Sequence, residues 1–234
     1  MIAGLQKMTL LDYPGKVACT VFLQGCNYRC PFCHNSELLP HGGEPFMAEE
    51  EFFAFLQKRK GLLDGVCVSG GEPTLYPGLS AFLKRIKELG YAVKLDTNGG
   101  RPDVLQQVAQ EGLVDYVAMD VKNSPGCYPE TTGVPGLRMD KTTQSLRFLI
   151  GGGVDYELRT TVVAQLHSEE SIREMGEYLS TIVPGKKPRI LYLQSFTDRD
   201  TVAFSGLSAP SETEMACYAK ALEPFVEQVC LRGQ

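Results

Sequence analysis

The chain of 234 residues is 43% hydrophobic and 22% charged, with a formal net charge of −5. That is enough apolar material for one domain spanning 1–234, since α/β barrels commonly exceed about 200 residues without dividing. An acidic balance with no basic run excludes a protein that grips nucleic acid mainly through phosphates, and no run of about 18 apolar residues exists to span a membrane.

The N-terminal stretch MIAGLQKMTLLDYPGK lacks the continuous apolar core of a secretory signal, which places the chain in the cytoplasm. Of eight cysteines, three fall between positions 26 and 33. In a cytoplasmic chain such clustering points to metal binding or catalysis rather than disulfides.

The apolar run at 17–25, VACTVFLQG, predicts a buried strand. Residues 48–60 predict a helix: Glu49, Glu50 and Glu51 suit its positive end, Lys58, Arg59 and Lys60 its negative end, and Gly61 stops it. GVCVSG at 65–70 is a second strand, and Leu79, Phe82, Leu83 and Ile86 recur at helical spacing before Gly90. YAVKLDT at 91–97 is a third strand, followed by a helix over Val104–Ala109; VDYVAMDVK at 114–122 is a fourth. A Gly/Pro-rich connection from Asn123 to about Asp140 leads into a helix ending near Ile150. YELRTTVVA at 156–164 is a fifth strand, with its helix marked by Ile172, Met175, Leu179 and Ile182, and RILYLQSF at 189–196 is a sixth. Ser211 and Glu214 form a capping box opening the last helix.

Six β–α units in succession predict a parallel sheet with helices outside. Six are too few for an eight-stranded barrel, so the expected fold is α/β, an open (β/α)6 partial TIM barrel; the alternative is an open doubly wound sheet. In either, chemistry belongs at the strand C-terminal ends. The least bland residues sit there: Cys26, then Gly70, Gly71, Glu72 and Pro73, then Asp96, Thr97, Asn98 and Gly99, then Asp120 and Lys122, Arg159 within the fifth strand, and Gln194 near the end of the sixth. Arg159 stands in an apolar strand, and a buried arginine requires a partner. Lys122 alone reads equally as a rim charge, and Gln194 equally as packing. Tyr91, Tyr116 and Tyr156, near strand starts, read as packing, as do Cys19 and Cys67; Cys127, Cys217 and Cys230 show no ligand spacing.

The loop GCNYRCPFCHN places Cys26, Cys30 and Cys33 together. Cysteine thiolates hold iron–sulfur clusters, usually four to a cubane, so three leave one iron open. Two other readings compete: a Cys₃His zinc site using His34 or His41, and inert buried thiols. His34 adjoins Cys33, so both reaching one tetrahedral ion strains the loop.

CxxxCxxC after a first strand, with Phe32 before the last cysteine and SGGEP at 69–73, resembles the signature of the radical S-adenosylmethionine (SAM) superfamily. LLDYPGKVACTVFLQGCNYRCPFCHNSELLP, VKLDTNG, VDYVAMDVK and YELRTTVV are similar to anaerobic ribonucleoside-triphosphate reductase activating proteins over nearly the whole chain. CHN and DTNG also resemble pyruvate formate-lyase activating enzymes.

The resemblance implies a [4Fe-4S] cluster on Cys26, Cys30 and Cys33, SAM chelated to the open iron, and a flavodoxin or ferredoxin-type electron donor. It implies reductive cleavage of SAM to a 5′-deoxyadenosyl radical that abstracts hydrogen from a glycine of a partner glycyl radical enzyme. For SAM it points to Phe32, Gly70, Gly71, Glu72, Asp96, Asn98, Lys122, Arg159 and Gln194, with Lys122 and Arg159 on the carboxylate. Asp96, Thr97 and Asp120 are expected ligands of a monovalent cation. The rim from Asp12 to Gly15 and the Asn123–Gly136 connection are the expected seat of the partner's loop. A radical SAM enzyme acting on a small molecule or nucleoside, resembling 7-carboxy-7-deazaguanine synthase, is the alternative; a non-catalytic metal-binding scaffold is a third.

Overall fold

The computed structural model describes residues 1–39 and 45–233; His41 lies outside them. One eight-stranded sheet runs in sequence order from β1 to β8, with both ends free. Its strands are β1 (Ile2–Thr9), β2 (Ala18–Leu23), β3 (Gly65–Gly70), β4 (Ala92–Thr97), β5 (Tyr116–Asp120), β6 (Tyr156–Val162), β7 (Ile190–Ser195) and β8 (Gln228–Arg232). Strands β2 to β8 are parallel, while β1 runs antiparallel to β2. The helices are α1 (Glu49–Lys58), α2 (Leu79–Glu88), α3 (Pro102–Gln110), α4 (Tyr128–Thr132), α5 (Asp140–Gly151), α6 (Glu169–Thr181) and α7 (Glu212–Leu222).

The six expected strands are β2 to β7. Two strands carry no sequence signal of their own. In β1, Gln6, Lys7 and Met8 are exposed and the pairing slips twice, so neither an apolar run nor an alternation develops. Irregular, charged edges of this kind resist edge-to-edge aggregation. β8 is short, ends in Arg232 and lies on the other edge. The connection after β5 is less irregular than expected, since it contains α4. The capping box forms as anticipated: Glu214 N donates to Ser211 Oγ (3.2 Å) and Ser211 N to Glu214 Oε2 (2.8 Å).

Alternate strand positions serve opposite faces. Val66, Val68, Val93, Leu95, Val117, Met119, Leu158, Leu191 and Leu193 point outward and pack with Leu83, Ile86, Leu105, Leu146, Leu149, Ile172 and Met175 of the helices. Each such residue contributes about 1.5–3 kcal/mol relative to exposure, so this outer layer holds the fold together. The intervening positions face the concave side and are polar: Cys67 is in register with Lys94, Asp120 with Arg159, and Thr161 with Gln194. Among the described residues no helix is long and apolar enough to cross a membrane.

Candidate active site

The loop after β2 carries the three clustered cysteines and is fastened on two sides. Gly71 N donates to Leu23 O (2.9 Å), Glu72 N to Gly25 O (2.7 Å) and Gly25 N to Leu38 O (2.8 Å). On the other flank Arg29 N donates to Thr132 O (2.8 Å), and the rings of Tyr28 and Tyr128 meet edge to face at 6.5 Å. The Asn123–Gly136 connection therefore backs the loop. Gly70 and Gly71 are required here because the chain itself comes close. A β-carbon on Gly70, at φ +127°, would lie 2.2 Å from Leu23 O, and one on Gly71 2.1 Å from Gly25 O.

Cys26, Cys30 and Cys33 line one cavity with Phe32, Gly70, Gly71, Asp96, Asn98, Lys122 and Arg159, so ten of the twelve expected site residues meet on its wall. The cavity is open on one side, and its empty space of about 800 Å³ includes the solvent-filled mouth. Ser69, Thr97, Asp120 and Thr161 complete its polar lining.

Glu72 and Gln194 are not on the wall. Glu72 is 1% exposed, and its carboxylate accepts from Thr74 N (3.0 Å), Thr74 Oγ1 (2.5 Å), Thr97 Oγ1 (2.8 Å) and Asn98 N (2.6 Å). Burial pushes its pKa up, and these four bonds oppose the rise. It clamps the ends of β3 and β4 together. Gln194 lies beside Thr161 in the register, half-buried.

Asp12–Gly15 is at the other end of the molecule. The Tyr13 hydroxyl donates to Val93 O (3.5 Å), its ring lies 6.1 Å from that of Tyr116, and it abuts Gly65. Those three residues open β4, β5 and β3, so Tyr13 closes the N-terminal end of the strands and does not border the cavity mouth. It precedes β2, whereas the cysteine loop follows that strand, and this reverses the end on which it sits.

The cavity floor is a ladder of alternating charges. Lys94 Nζ is 2.5 Å from Asp96 Oδ1; Arg159 Nη1 is 3.3 Å from Asp96 Oδ2, and its Nε 2.9 Å from Asp120 Oδ1; Lys122 Nζ is 2.7 Å from Asp120 Oδ2. The cations hold both carboxylates below their ordinary pKa range against the opposing effect of burial, and the carboxylates raise Lys122 and Arg159. Three cations face two anions, a surplus of one positive charge. Asp96 and Asp120, the expected cation ligands, are thus already engaged. Lys94 was passed over in the sequence, although the argument that singles out Arg159, a charge between apolar neighbours in a strand, applies equally to it.

The three cysteines share one wall of the cavity. Burial raises the Cys26 pKa while an N–H from Tyr28 (3.4 Å to Sγ) opposes the rise, and burial pushes Cys30 up to about 11. A metal that binds cysteine displaces the thiol proton. Asn98 Nδ2 also approaches Cys26 Sγ at 3.9 Å. Each thiolate of a cubane holds its own iron, whereas zinc requires its ligands to converge on one point. Among the described residues no three Cys, His or carboxylate groups so converge. The ring of His34 is otherwise engaged, donating from Nε2 to Thr197 O (2.6 Å) and stacking on Phe196. The donor set fits a cluster on three thiolates.

Residues 20–182 match the family model of the radical SAM superfamily. The chain belongs to that superfamily. This radical SAM enzyme is 30% identical over 240 residues to a Methanocaldococcus jannaschii protein provisionally named a glycyl-radical enzyme activating enzyme, covering 99% of this chain and 95% of that one. It is 30% identical over 197 residues to the pyruvate formate-lyase-activating enzyme of Clostridium pasteurianum, covering 81% and 80%. It is 32% identical over 164 residues to the 7-carboxy-7-deazaguanine synthase of Koribacter versatilis, covering 69% and 68%. Among solved structures, a domain of the pyruvate-formate lyase-activating enzyme from Bacteroides vulgatus superposes with a TM-score of 0.58 at 22% identity, covering 72% of this chain and 99% of that one, which shows the shared fold. The open partial barrel is the radical SAM fold, and membership implies SAM and an iron–sulfur cluster as its cofactors.

Proposed function

We propose that this enzyme is a single-domain cytoplasmic activase that generates a glycyl radical on a partner enzyme, with anaerobic ribonucleoside-triphosphate reductase as that partner. Cys26, Cys30 and Cys33 hold the [4Fe-4S] cluster. When bound and reduced by a flavodoxin or ferredoxin-type donor, the cluster with SAM supplies the 5′-deoxyadenosyl radical. The protein's own residues bind, orient and shield. Lys122 and Arg159 carry the surplus positive charge of the floor toward the methionyl carboxylate, and Arg159 is held for this by Asp96 and Asp120. Asn98, fixed through its N–H on Glu72 and through its side-chain amide on Asn27, shapes the cavity wall against the ligand, and Phe32 covers the cavity beside Lys122. The connection after β5 leaves the same strand end as Lys122, is exposed at Pro125, Gly126 and Glu130, and receives the partner's loop.

The observation that carries this reading is coverage. The activating-enzyme relative aligns with 99% of the chain, so the resemblance includes the edge strands as well as the shared cluster machinery. The match to the 7-carboxy-7-deazaguanine synthase, covering 69%, supports a second reading, a small nucleoside-like substrate. Anaerobic reconstitution with SAM, dithionite and candidate glycyl radical enzymes, read by electron paramagnetic resonance, decides between them. A glycyl doublet on the reductase is expected. A doublet only on pyruvate formate-lyase reassigns the partner, and turnover of a small molecule with no doublet on any candidate overturns the activase reading.

A further inference from the structure

The deepest residue of the charge ladder belongs to no expected role. Lys94 is 1% exposed and lies beneath the cavity rather than on its wall. It stands two residues before Asp96 in β4, so the strand's period places both side chains on the concave face. Its ammonium is 2.5 Å from Asp96 Oδ1 and 3.8 Å from Cys67 Sγ. A buried ammonium is tolerated only when paired, and the structure pairs this one with the same carboxylate that receives Arg159.

Every side-chain oxygen expected to ligate a free monovalent cation already has a partner, and each carboxylate oxygen of the pair faces a cation or, at Asp96 Oδ2, a cation and a hydroxyl. Asp96 Oδ1 takes Lys94, and Asp96 Oδ2 takes Arg159 Nη1 and the Ser69 hydroxyl (3.0 Å). Asp120 gives one oxygen to Arg159 Nε and the other to Lys122. The Thr97 hydroxyl donates to Glu72 Oε1 (2.8 Å) and accepts from Gly99 N (3.0 Å). Charge counting agrees. Without Lys94 the ladder holds two cations and two anions and has nothing left for a ligand carboxylate. With it, the surplus is one, which an α-carboxylate balances. A further free cation would raise the buried surplus to two.

We propose that Lys94 is a tethered internal cation: its ammonium occupies the place of a free potassium or sodium ion, fixes Asp96, and through Asp96 sets Arg159, so that the site binds its ligand without a bound monovalent metal. An ammonium and a potassium ion carry the same charge at similar size. Tethering on β4 removes the dependence on bulk concentration, as an intramolecular partner does. Lys94 touches no ligand and is a positioning residue. This inference rests on the reading that the cavity binds SAM.

The test uses the cluster-loaded protein. Its SAM affinity is measured with potassium, sodium or tetramethylammonium as the sole monovalent cation at one ionic strength. Wild type should bind equally in all three. Lys94→Met, which keeps the stem and deletes the ammonium, should lose about tenfold or more in tetramethylammonium, because a buried carboxylate is left short of a partner, and should recover in potassium or sodium. Loss of wild-type affinity in tetramethylammonium overturns the proposal, as does a Lys94→Met protein that matches wild type there. Sodium-23 relaxation without SAM provides the readout independent of binding and turnover. Potassium-displaceable sodium should be absent from wild type and present in Lys94→Met; its presence in wild type overturns the proposal, and this wild-type arm decides even when the variant does not fold. Wild type that binds no SAM in any buffer refutes the SAM reading instead, and leaves the sodium measurement to judge Lys94.

Discussion

Arg159→Ala removes the middle of the charge ladder. Its guanidinium joins Asp96 and Asp120, at side-chain exposures of 17%, 14% and 28%. Removing one partner of a buried pair costs about 3–5 kcal/mol. Lys94 and Lys122 still neutralise one charge at each carboxylate, so the loss should fall to about 2–3 kcal/mol, or roughly 4–12 °C in Tm for a chain of this size. The effect on SAM is separate. The ladder's surplus falls from one positive charge to zero, and a desolvated carboxylate that loses its partner typically costs about 2–5 kcal/mol, at least about thirtyfold in affinity. Iron per chain should not change, because the side-chain bonds of Arg159 go to carboxylates and not to the cysteine loop. The assay is iron and sulfide content after anaerobic reconstitution, then SAM titration followed by the signal of the reduced cluster, with melting in parallel. Arg159→Lys keeps the charge but loses the two-pronged geometry and should recover only part of the affinity. Unchanged SAM affinity alongside a lowered Tm would refute the reasoning and leave Arg159 as a brace of the barrel.

Replacing Cys26, Cys30 or Cys33 by Ala should abolish the cluster, while the exposed Cys217 should be dispensable; iron analysis checks both, and cluster loss in Cys217→Ala would overturn the ligand assignment. Gly71→Ala drives a β-carbon to 2.1 Å from Gly25 O, so it should cost about 1–3 kcal/mol and lower cluster occupancy by displacing the cysteine loop; full iron content would show that the loop yields freely. Buried His167 accepts from Val163 N (3.1 Å) and donates to Lys122 O (2.8 Å), and burial holds its pKa below the ordinary value. The unfolded chain takes up a proton below about pH 6.5 that the folded chain refuses, so this contribution is complete above that pH and is lost as pH falls through it. Melting of the cluster-free protein between about pH 7.5 and 5.5 should show that slope, and His167→Gln should flatten it.

The interior of the sheet was legible because each of β2 to β7 places apolar residues on its helix-facing side. The edge strands β1 and β8 were not, since one flank of each is unpaired and neither needs an apolar run. The cysteine loop was legible from spacing alone. What spacing does not convey is direction. Asp12–Gly15 and Cys26 flank the same strand at opposite ends, and only the strand's polarity tells which end is the mouth. Nor does it convey sharing: Glu72, in a motif that resembles a ligand-binding segment, has its acceptors consumed by Thr74, Thr97 and Asn98. Lys94 was missed because a lysine in a strand reads as solvent-facing unless the concave face is known to be closed off.

These contacts make the cysteine loop and the two strand ends beside it a single unit. Glu72 N holds Gly25 O at the root of the loop, the Glu72 carboxylate holds Asn98 N, and Asn98 Nδ2 returns to Asn27 Oδ1 (2.8 Å) within the loop. The circuit runs from the first strand end to the second, to the third, and back to the loop. A change at any point moves the others, because Gly25, Glu72 and Asn98 are buried and only Asn27, at the return point in the loop, is exposed. Cluster occupancy and SAM affinity should therefore fall together for variants within this circuit, and separately for variants of the charge ladder, which joins the circuit through the chain from Asp96 to Asn98 and through the Ser69 hydroxyl on Asp96 Oδ2 (3.0 Å). Mutations at Glu72 and at Arg159, compared for iron and for SAM, distinguish the two kinds of residue by that signature.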